Sequence, residues 1–190
     1  EILWQQVLKA AVRIIDTNSR MGTLGKIAVE MSKVGMFEQA LKVTEKIEDT
    51  LEREKALNEI SVAMVRAGMF EQALKVTEKI KQIGLRLKAL RDITVEIAKA
   101  RMFEQALKLT EEIEGAGWRA EALRVIAVEM AKAGMFEKAL KVVEGIKSTW
   151  ERVLALKEIA VEMTKAGMFE KAKKVFEQTL KVTERIKSSS

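Results

Sequence analysis

The sequence lacks several residue types that usually build reactive centres. Its 190 residues include no Cys, His, Tyr or Pro. The absence of Cys excludes disulfides and thiolate metal sites, and it leaves the redox compartment undetermined. Without His and Tyr, and with Asp only at Asp16, Asp49 and Asp92, the common sets of nucleophile, base and metal ligand cannot be assembled. We therefore expect a protein that is not an enzyme and that binds no cofactor or metal.

Long apolar runs are also missing. No run approaches the roughly 20 residues that are needed to cross a bilayer. The chain starts at Glu1 without an initiator Met or a charged segment followed by an apolar one, so no secretion signal is visible, although processing would hide one. We expect a protein with no membrane partner and a cytoplasmic location.

Charge of one sign is present only in mild excess. The formal net charge of +6 is weaker than the clustered excess of a dedicated nucleic-acid binder. The many Lys and Glu residues, together with the missing Cys, fit a protein that is stable to heat. The absence of Pro and the abundance of Ala, Leu, Lys and Glu predict an all-α fold.

The segment Gly-Met-Phe-Glu-Gln-Ala-Leu recurs along the chain in closely similar form, with Arg101 replacing its Gly once. The fixed period of about 33 residues is typical of a solenoid of stacked helix hairpins. Each repeat predicts a first helix, a turn at the Gly, a second helix such as Met69 to Ile80, and a loop such as Glu48–Leu51 or Lys81–Gly84. The repeated phenylalanines are Phe37, Phe70, Phe103, Phe136 and Phe169.

The predicted boundaries leave a partial repeat at the start. Residues 1–18 match the second helix of a truncated leading repeat, whose apolar face would lack a packing partner and could mediate self-association. The last helix, from about Met168 to Lys187, has gained seven residues and carries Lys173 in place of the usual Leu, as a capping helix would. The repeats are residues 19–51, 52–84, 85–117, 118–150 and 151–187, with a tail at 188–190.

Seven positions of the second repeat follow a recognisable order of apolar, small and glycine residues. They are Leu57, Ile60, Ser61, Met64, Gly68, Phe70 and Ala73. This order resembles the tetratricopeptide repeat (TPR), which implies a right-handed α-solenoid of antiparallel helix hairpins, with about eleven helices, whose first helices line a concave groove. The period is shorter than the roughly 34 residues of that family, and the missing Pro and the residues Thr77 and Ile80 also depart from its pattern. Ankyrin and pentatricopeptide patterns fit less well.

Three other repeated positions have a structural interpretation. A Met on the first helix (Met31, Met64, Met130 and Met163) is expected to fill the core. An Arg at each junction (Arg20, Arg53, Arg86, Arg119 and Arg152) could meet acidic ligands, but we favour bonds to the carbonyls of the preceding helix. A Glu on each second helix (Glu38, Glu71, Glu104, Glu137 and Glu170) is expected to pair with the Lys four residues later, Lys42, Lys75, Lys108, Lys141 or Lys174.

A second stripe on the first helices supplies the candidate binding site. Valines at one position are followed four residues later by cations, and further cations precede them by four. By the TPR resemblance this stripe faces the groove, where it would offer apolar contact and attraction for an acidic segment. Alternatively, the valines are buried between neighbouring helices and the cations are only solvated. The predicted binding residues are Val62, Val95, Val128, Arg66, Lys99, Lys132, Arg91, Arg124 and Lys157.

These patterns leave three functions open. The first is a non-enzymatic scaffold whose groove binds a peptide or helix of acidic character. The second is an RNA-binding solenoid that uses the same cations on phosphate, which is disfavoured because the groove has no aromatic residues for base stacking. The third is a purely structural or engineered repeat array. It is disfavoured by the irregular loops and by Arg101, which replaces the repeated Gly.

Overall fold

The protein is described by a computed structural model that covers residues 2–187 and, within them, the side chains of residues 3–181. Every regular element in this part of the chain is an α-helix. The first helices of the repeats are 17 residues long. The helices are α1 (Ile2–Val12), α2 (Thr17–Lys33), α3 (Phe37–Thr44), α4 (Thr50–Arg66), α5 (Phe70–Glu78), α6 (Ile83–Lys99), α7 (Phe103–Glu111), α8 (Ala116–Lys132), α9 (Phe136–Glu144), α10 (Thr149–Lys165) and α11 (Phe169–Lys187).

Capping side chains fix where the first helices begin. The side chains of Asp16, Asp49 and Ser148 accept hydrogen bonds from backbone N–H groups three residues later, which satisfies donors left free at a helix start. The helices consequently begin two residues before the predicted repeat boundaries. The predicted loops Glu48–Leu51 and Lys81–Gly84 are therefore wrong in their second halves, which belong to α4 and α6.

A residue in the left-handed backbone conformation follows each first helix and ends it, at the position where the repeated Gly predicted a turn. Gly68 has φ +79°, and the following Met69 N–H donates to Met64 O at 2.9 Å, which closes the helix end. Arg101 takes the same conformation with φ +62° although it carries a side chain. Glycine adopts this region cheaply, and other residues are strained in it.

The described chain forms two compact units, Glu1–Ile93 and Thr94–Ser190, with the division inside α6. In unit 1, α2 packs against α1, α3 and α4, and α4 packs against α3 and α5. In unit 2, α8 packs against α7, α9 and α10, and α10 packs against α9 and α11. The predicted all-α solenoid of antiparallel hairpins is confirmed. That the superhelix is right-handed stays a prediction.

Isoleucines at two repeated positions dominate the core of each unit. In unit 1, Ile47, Ile60 and Ile80 have no exposed surface. In unit 2, Ile126 and Ile146 are equally enclosed. Ile60 and Ile126 lie within first helices, whereas Ile47, Ile80 and Ile146 follow second helices. Both parts of a hairpin are therefore buried, as stacking of hairpins requires.

The terminal helices differ from the inner ones. Helix α1 ends at Val12, so the predicted second helix over residues 1–18 is too long, because Asp16 caps α2. Ile15 is 95% exposed. At the other end, α11 matches the predicted lengthened helix and exposes Phe169 and Phe176, whereas the predicted tail at 188–190 lies outside the described residues.

Candidate partner-binding site

The junction arginines hold the hairpins together. Their guanidinium groups donate to the carbonyl oxygen of the residue six positions earlier, at the end of the preceding second helix, which satisfies an acceptor left free there. The structural interpretation is confirmed for four of the five arginines. The bonds are Arg20–Ile14 (3.2 Å), Arg53–Ile47 (3.4 Å), Arg119–Ile113 (2.8 Å) and Arg152–Ile146 (3.0 Å).

The methionines of the first helices are core residues, as predicted. Met31, Met64, Met130 and Met163 are all buried. The predicted pairing on the second helices is wrong, because no pair from Glu38–Lys42 to Glu170–Lys174 is closer than 4 Å among the described side chains. Exposed pairs of this kind are worth little, so the side chains gain more from rotational freedom.

We call the valines and terminal cations of the first helices the first-helix row. In unit 2 the row consists of Val95, Val128 and Val161 with Lys99, Lys132 and Lys165, and in unit 1 of Val29 and Val62 with Lys33 and Arg66. The cations are all exposed. The valines vary: Val128 is buried, Val161 is exposed, and the other three are half-buried. The alternative interpretation, that the valines are buried, therefore holds for Val128, whereas the other four valines still offer apolar surface.

A carboxylate accompanies most cations of the first-helix row, which the sequence reasoning missed. In unit 2 the ammonium of Lys99 lies 2.8 Å from Glu96, that of Lys132 lies 2.8 Å from Glu129, and that of Lys165 lies 2.7 Å from Glu162. Lys33 and Glu30 form the same pair in unit 1. The signal was visible as Val-Glu followed by a cation three residues later. The row thus alternates acid and base rather than being purely basic.

The pKa of one cation in the row responds to this arrangement. The hydrogen bond with Glu129 is the largest influence on Lys132 and raises its pKa above its ordinary value. Burial, the next largest, lowers the pKa, and the negative charges of Glu129, Glu162 and Glu158 each raise it further. Lys132 therefore stays charged across the whole physiological range.

Arg124 of the predicted set already binds carboxylates of its own chain. Its Nε donates to Glu151 at 2.7 Å and its Nη1 to Glu158 at 2.9 Å, so it joins α8 to α10 within unit 2. Arg91 Nη1 lies 3.1 Å from Asp92. A partner-binding role for Arg91 and Arg124 stays a prediction. Of the two, Arg124 braces α8 against α10. Lys157 is exposed on α10.

Two further kinds of site find no support in the described residues. In residues 2–187 no helix is long and apolar enough to cross a membrane. The described side chains also include no group of three or more His, Cys, Asp or Glu that could hold a metal ion.

Comparison with known proteins gives structural neighbours only. No protein-family profile matches the sequence, and no curated protein matches it. A kinesin light chain-like protein of Podosopora anserina with nearly identical TPR-like repeats is similar at a TM-score of 0.44 and 14% identity, covering 88% of this chain and 96% of that one. MamA of MSR-1 is similar at a TM-score of 0.41 and 15% identity, covering 87% and 98%. By this comparison the chain is similar to TPR-like repeat proteins, the kind of protein that its residues resemble.

Proposed function

We propose that the chain is a non-enzymatic scaffold that binds an acidic protein segment along the first-helix row. One observation carries this proposal: Lys99, Lys132 and Lys165 occupy the same position on consecutive first helices, and at least half of each side chain is exposed. An array that presents one such cation per repeat can contact successive acidic residues of an extended partner.

The Glu–Lys pairs of the row do not prevent this binding. Each pair in unit 2 joins residues three apart on one helix, and its Glu is at most 20% exposed whereas its Lys is at least 50% exposed. The ammonium groups are therefore the accessible charges of the row. Because an ammonium has three N–H donors, it can bind a carboxylate of the partner while it keeps its hydrogen bond to Glu96 or Glu129. The half-buried Val95 and the exposed Val161 add apolar contact, so we expect partner segments that combine acidic and apolar residues.

The valines of the row disfavour RNA as the partner, because they supply no aromatic ring for base stacking. A phosphate backbone could contact the lysines but has no apolar side chain to cover the half-buried Val95 and the exposed Val161. A peptide can place apolar residues there and carboxylates beside the lysines.

Selection from a phage-displayed library of random peptides of about 16 residues tests the proposal. We expect the selected peptides to be enriched in Asp, Glu and apolar residues. Their affinity should fall at least about tenfold in the double variant Lys99→Glu/Lys132→Glu, because two attractions of about 0.7 kcal/mol are lost or reversed. Fluorescence anisotropy measures the dissociation constants.

A matched control separates position from net charge. The double variant Lys147→Glu/Lys173→Glu changes the charge equally at exposed positions outside the row. It should bind the selected peptides as the wild type does. If the two variants bind equally, or if no peptide is selected, the row is not a binding surface. Tight, strongly salt-dependent binding of a single-stranded RNA in place of peptides would favour the RNA function instead.

A further inference from the structure

Two apolar clefts occupy equivalent places between second helices, one in each unit. In unit 1 the cleft lies between α1 and α3 and encloses about 280 Å³, and in unit 2 it lies between α7 and α9 and encloses about 830 Å³. The aromatic residues are Trp4 and Phe103, which hold the same position of the repeat in different units. The clefts are therefore one feature of the repeat, and they are formed by residues outside the first-helix row.

The floor of the larger cleft is apolar. Phe103, Leu107 and Val142 come from the two second helices, and Met130 and Met135 come from the end of α8 and the turn after it. Unbranched Met side chains adapt to different apolar partners and are common at surfaces that bind helices. We call this feature the α7/α9 cleft.

The cations at the rims of both clefts are uncommitted, unlike those of the first-helix row. Lys42 and Lys46 line the unit 1 cleft, and Arg101, Lys138 and Lys141 line the α7/α9 cleft. None of the five lies within 4 Å of a carboxylate among the described side chains. Of the described residues that line the two clefts, only Glu104 has a carboxylate, so each cleft carries a net charge of +2 from its own lining (2 − 0 in unit 1 and 3 − 1 in unit 2).

Arg101 distinguishes the α7/α9 cleft from the rest of the array. The corresponding turn residues are glycines with φ between +76° and +81°, whereas Arg101 holds a side chain at φ +62°. This conformation is strained for any residue with a Cβ atom. Burial of the Arg101 side chain does not compensate for this strain, because the residue is exposed. It places a third cation at the rim of the larger cleft.

We propose that the α7/α9 cleft binds an acidic amphipathic helix of a partner protein. The apolar side of that helix covers Leu107, Met135 and Val142, which are half-buried above Phe103 and Met130, and its flanking carboxylates pair with Arg101, Lys138 and Lys141. The cleft is open along one side, so it suits a partner that buries one face and keeps the other in water. A second copy of this chain fits less well, because the exposed apolar residues of α11 are flanked by Lys171, Lys173 and Lys174.

A helix library identifies the occupant. Phage would display helices of about 18 residues with one face varied among Leu, Ile, Phe and Met and the flanks varied among Glu, Gln and Lys. We expect Glu to be enriched in the flanks. Binding of the selected helices should weaken at least about tenfold in Lys138→Glu/Lys141→Glu, and it should be unchanged in Lys108→Glu/Lys147→Glu, which changes exposed lysines outside the cleft.

The variant Arg101→Gly gives a second, sharper readout. It should raise the melting temperature, because it removes the strain, and yet weaken binding of the selected helices by about threefold to tenfold. Enrichment of Lys, no enrichment, or affinities unaffected by Lys138→Glu/Lys141→Glu would overturn the proposal. Saturable binding of dodecanoate that displaces the helices, or dimerisation that these variants abolish, would also overturn it in favour of a lipid or a second copy. The variants of the first-helix row are separate, so failure here leaves the proposed function standing.

Discussion

Glu54 Oε1 accepts a hydrogen bond of 2.9 Å from the backbone N–H of Lys81, and its other oxygen accepts one of 3.2 Å from Gln82. The side chain is only 1% exposed. At the equivalent position of the preceding repeat, Met21 Sδ accepts the N–H of Glu48 at 3.1 Å. A side chain near the start of one first helix thus holds the loop that leads to the next first helix.

Replacing Glu54 should destabilise the fold. Glu54→Ala leaves two backbone N–H groups without acceptors, so we expect the free energy of unfolding to fall by about 1–3 kcal/mol. Urea denaturation followed by circular dichroism measures this change. Glu59→Ala, on the exposed side of the same helix, serves as the control. Equal stabilities of the two variants would mean that Glu54 does not hold the loop.

The repeated phenylalanines should differ in importance according to their burial. Phe103 is 8% exposed and Phe169 is 66% exposed, although both begin a second helix. We expect Phe103→Ala to cost about 3–5 kcal/mol of unfolding free energy, as buried aromatic truncations do. Phe169→Ala should change it by less than about 1 kcal/mol. A melting temperature that hardly moves in Phe103→Ala would contradict the core assignment.

Arg124 should contribute to stability rather than to binding. Arg124→Gln removes two charge-assisted hydrogen bonds to α10 and should lower the free energy of unfolding by about 1–3 kcal/mol. A double-mutant cycle with Glu158→Gln isolates the interaction between the two side chains. Lys157→Gln, an exposed member of the same predicted set, should leave stability unchanged. A variant at Arg124 that keeps full stability but loses peptide binding would instead favour the predicted partner-binding role.

The cap of α2 predicts a pH dependence. Hydrogen bonds from the side chain and backbone N–H of Ser19 hold the pKa of Asp16 below its ordinary value of 3.8. Because the pKa is lowered on folding, the charged cap stabilises the fold above the unfolded pKa, and this contribution is lost as pH falls through the folded pKa. The stability difference between the wild type and Asp16→Ala should therefore shrink in acid. A difference that stays constant from neutral pH to below 3 would exclude this contribution.

The sequence predicts the framework because the framework depends on periodicity. The Gly and Phe positions, the junction arginines and the core methionines each recur at a fixed place in the repeat, and local rules for helix ends and apolar faces suffice to place them. The first helices begin two residues before the predicted repeat boundaries, because the capping side chains of Asp16, Asp49 and Ser148, and not the repeat pattern, fix where three of them start. Arg124 could not be assigned, because its partners Glu151 and Glu158 lie 27 and 34 residues away and only tertiary packing brings them together.

Unpaired and paired cations look alike in a sequence. Lys132 and Lys141 are both exposed lysines on amphipathic helices, but Glu129 binds the first and no described carboxylate lies within 4 Å of the second. The i,i+3 and i,i+4 spacings are about equally favourable on an isolated helix, so rotamers and neighbours decide between them. The clefts were missed for the same reason, since a cleft depends on how neighbouring second helices approach each other.

Methyl NMR of the protein with a peptide selected from the random library tests the central claim most directly. If the first-helix row binds the acidic segment, the methyl signals of Val95 and Val161 should shift on titration, and those of Met102 and Met135 in the α7/α9 cleft should stay in place. Shifts confined to the cleft methionines, or no shift at either set of methyl groups, would contradict the claim that the row is the binding surface.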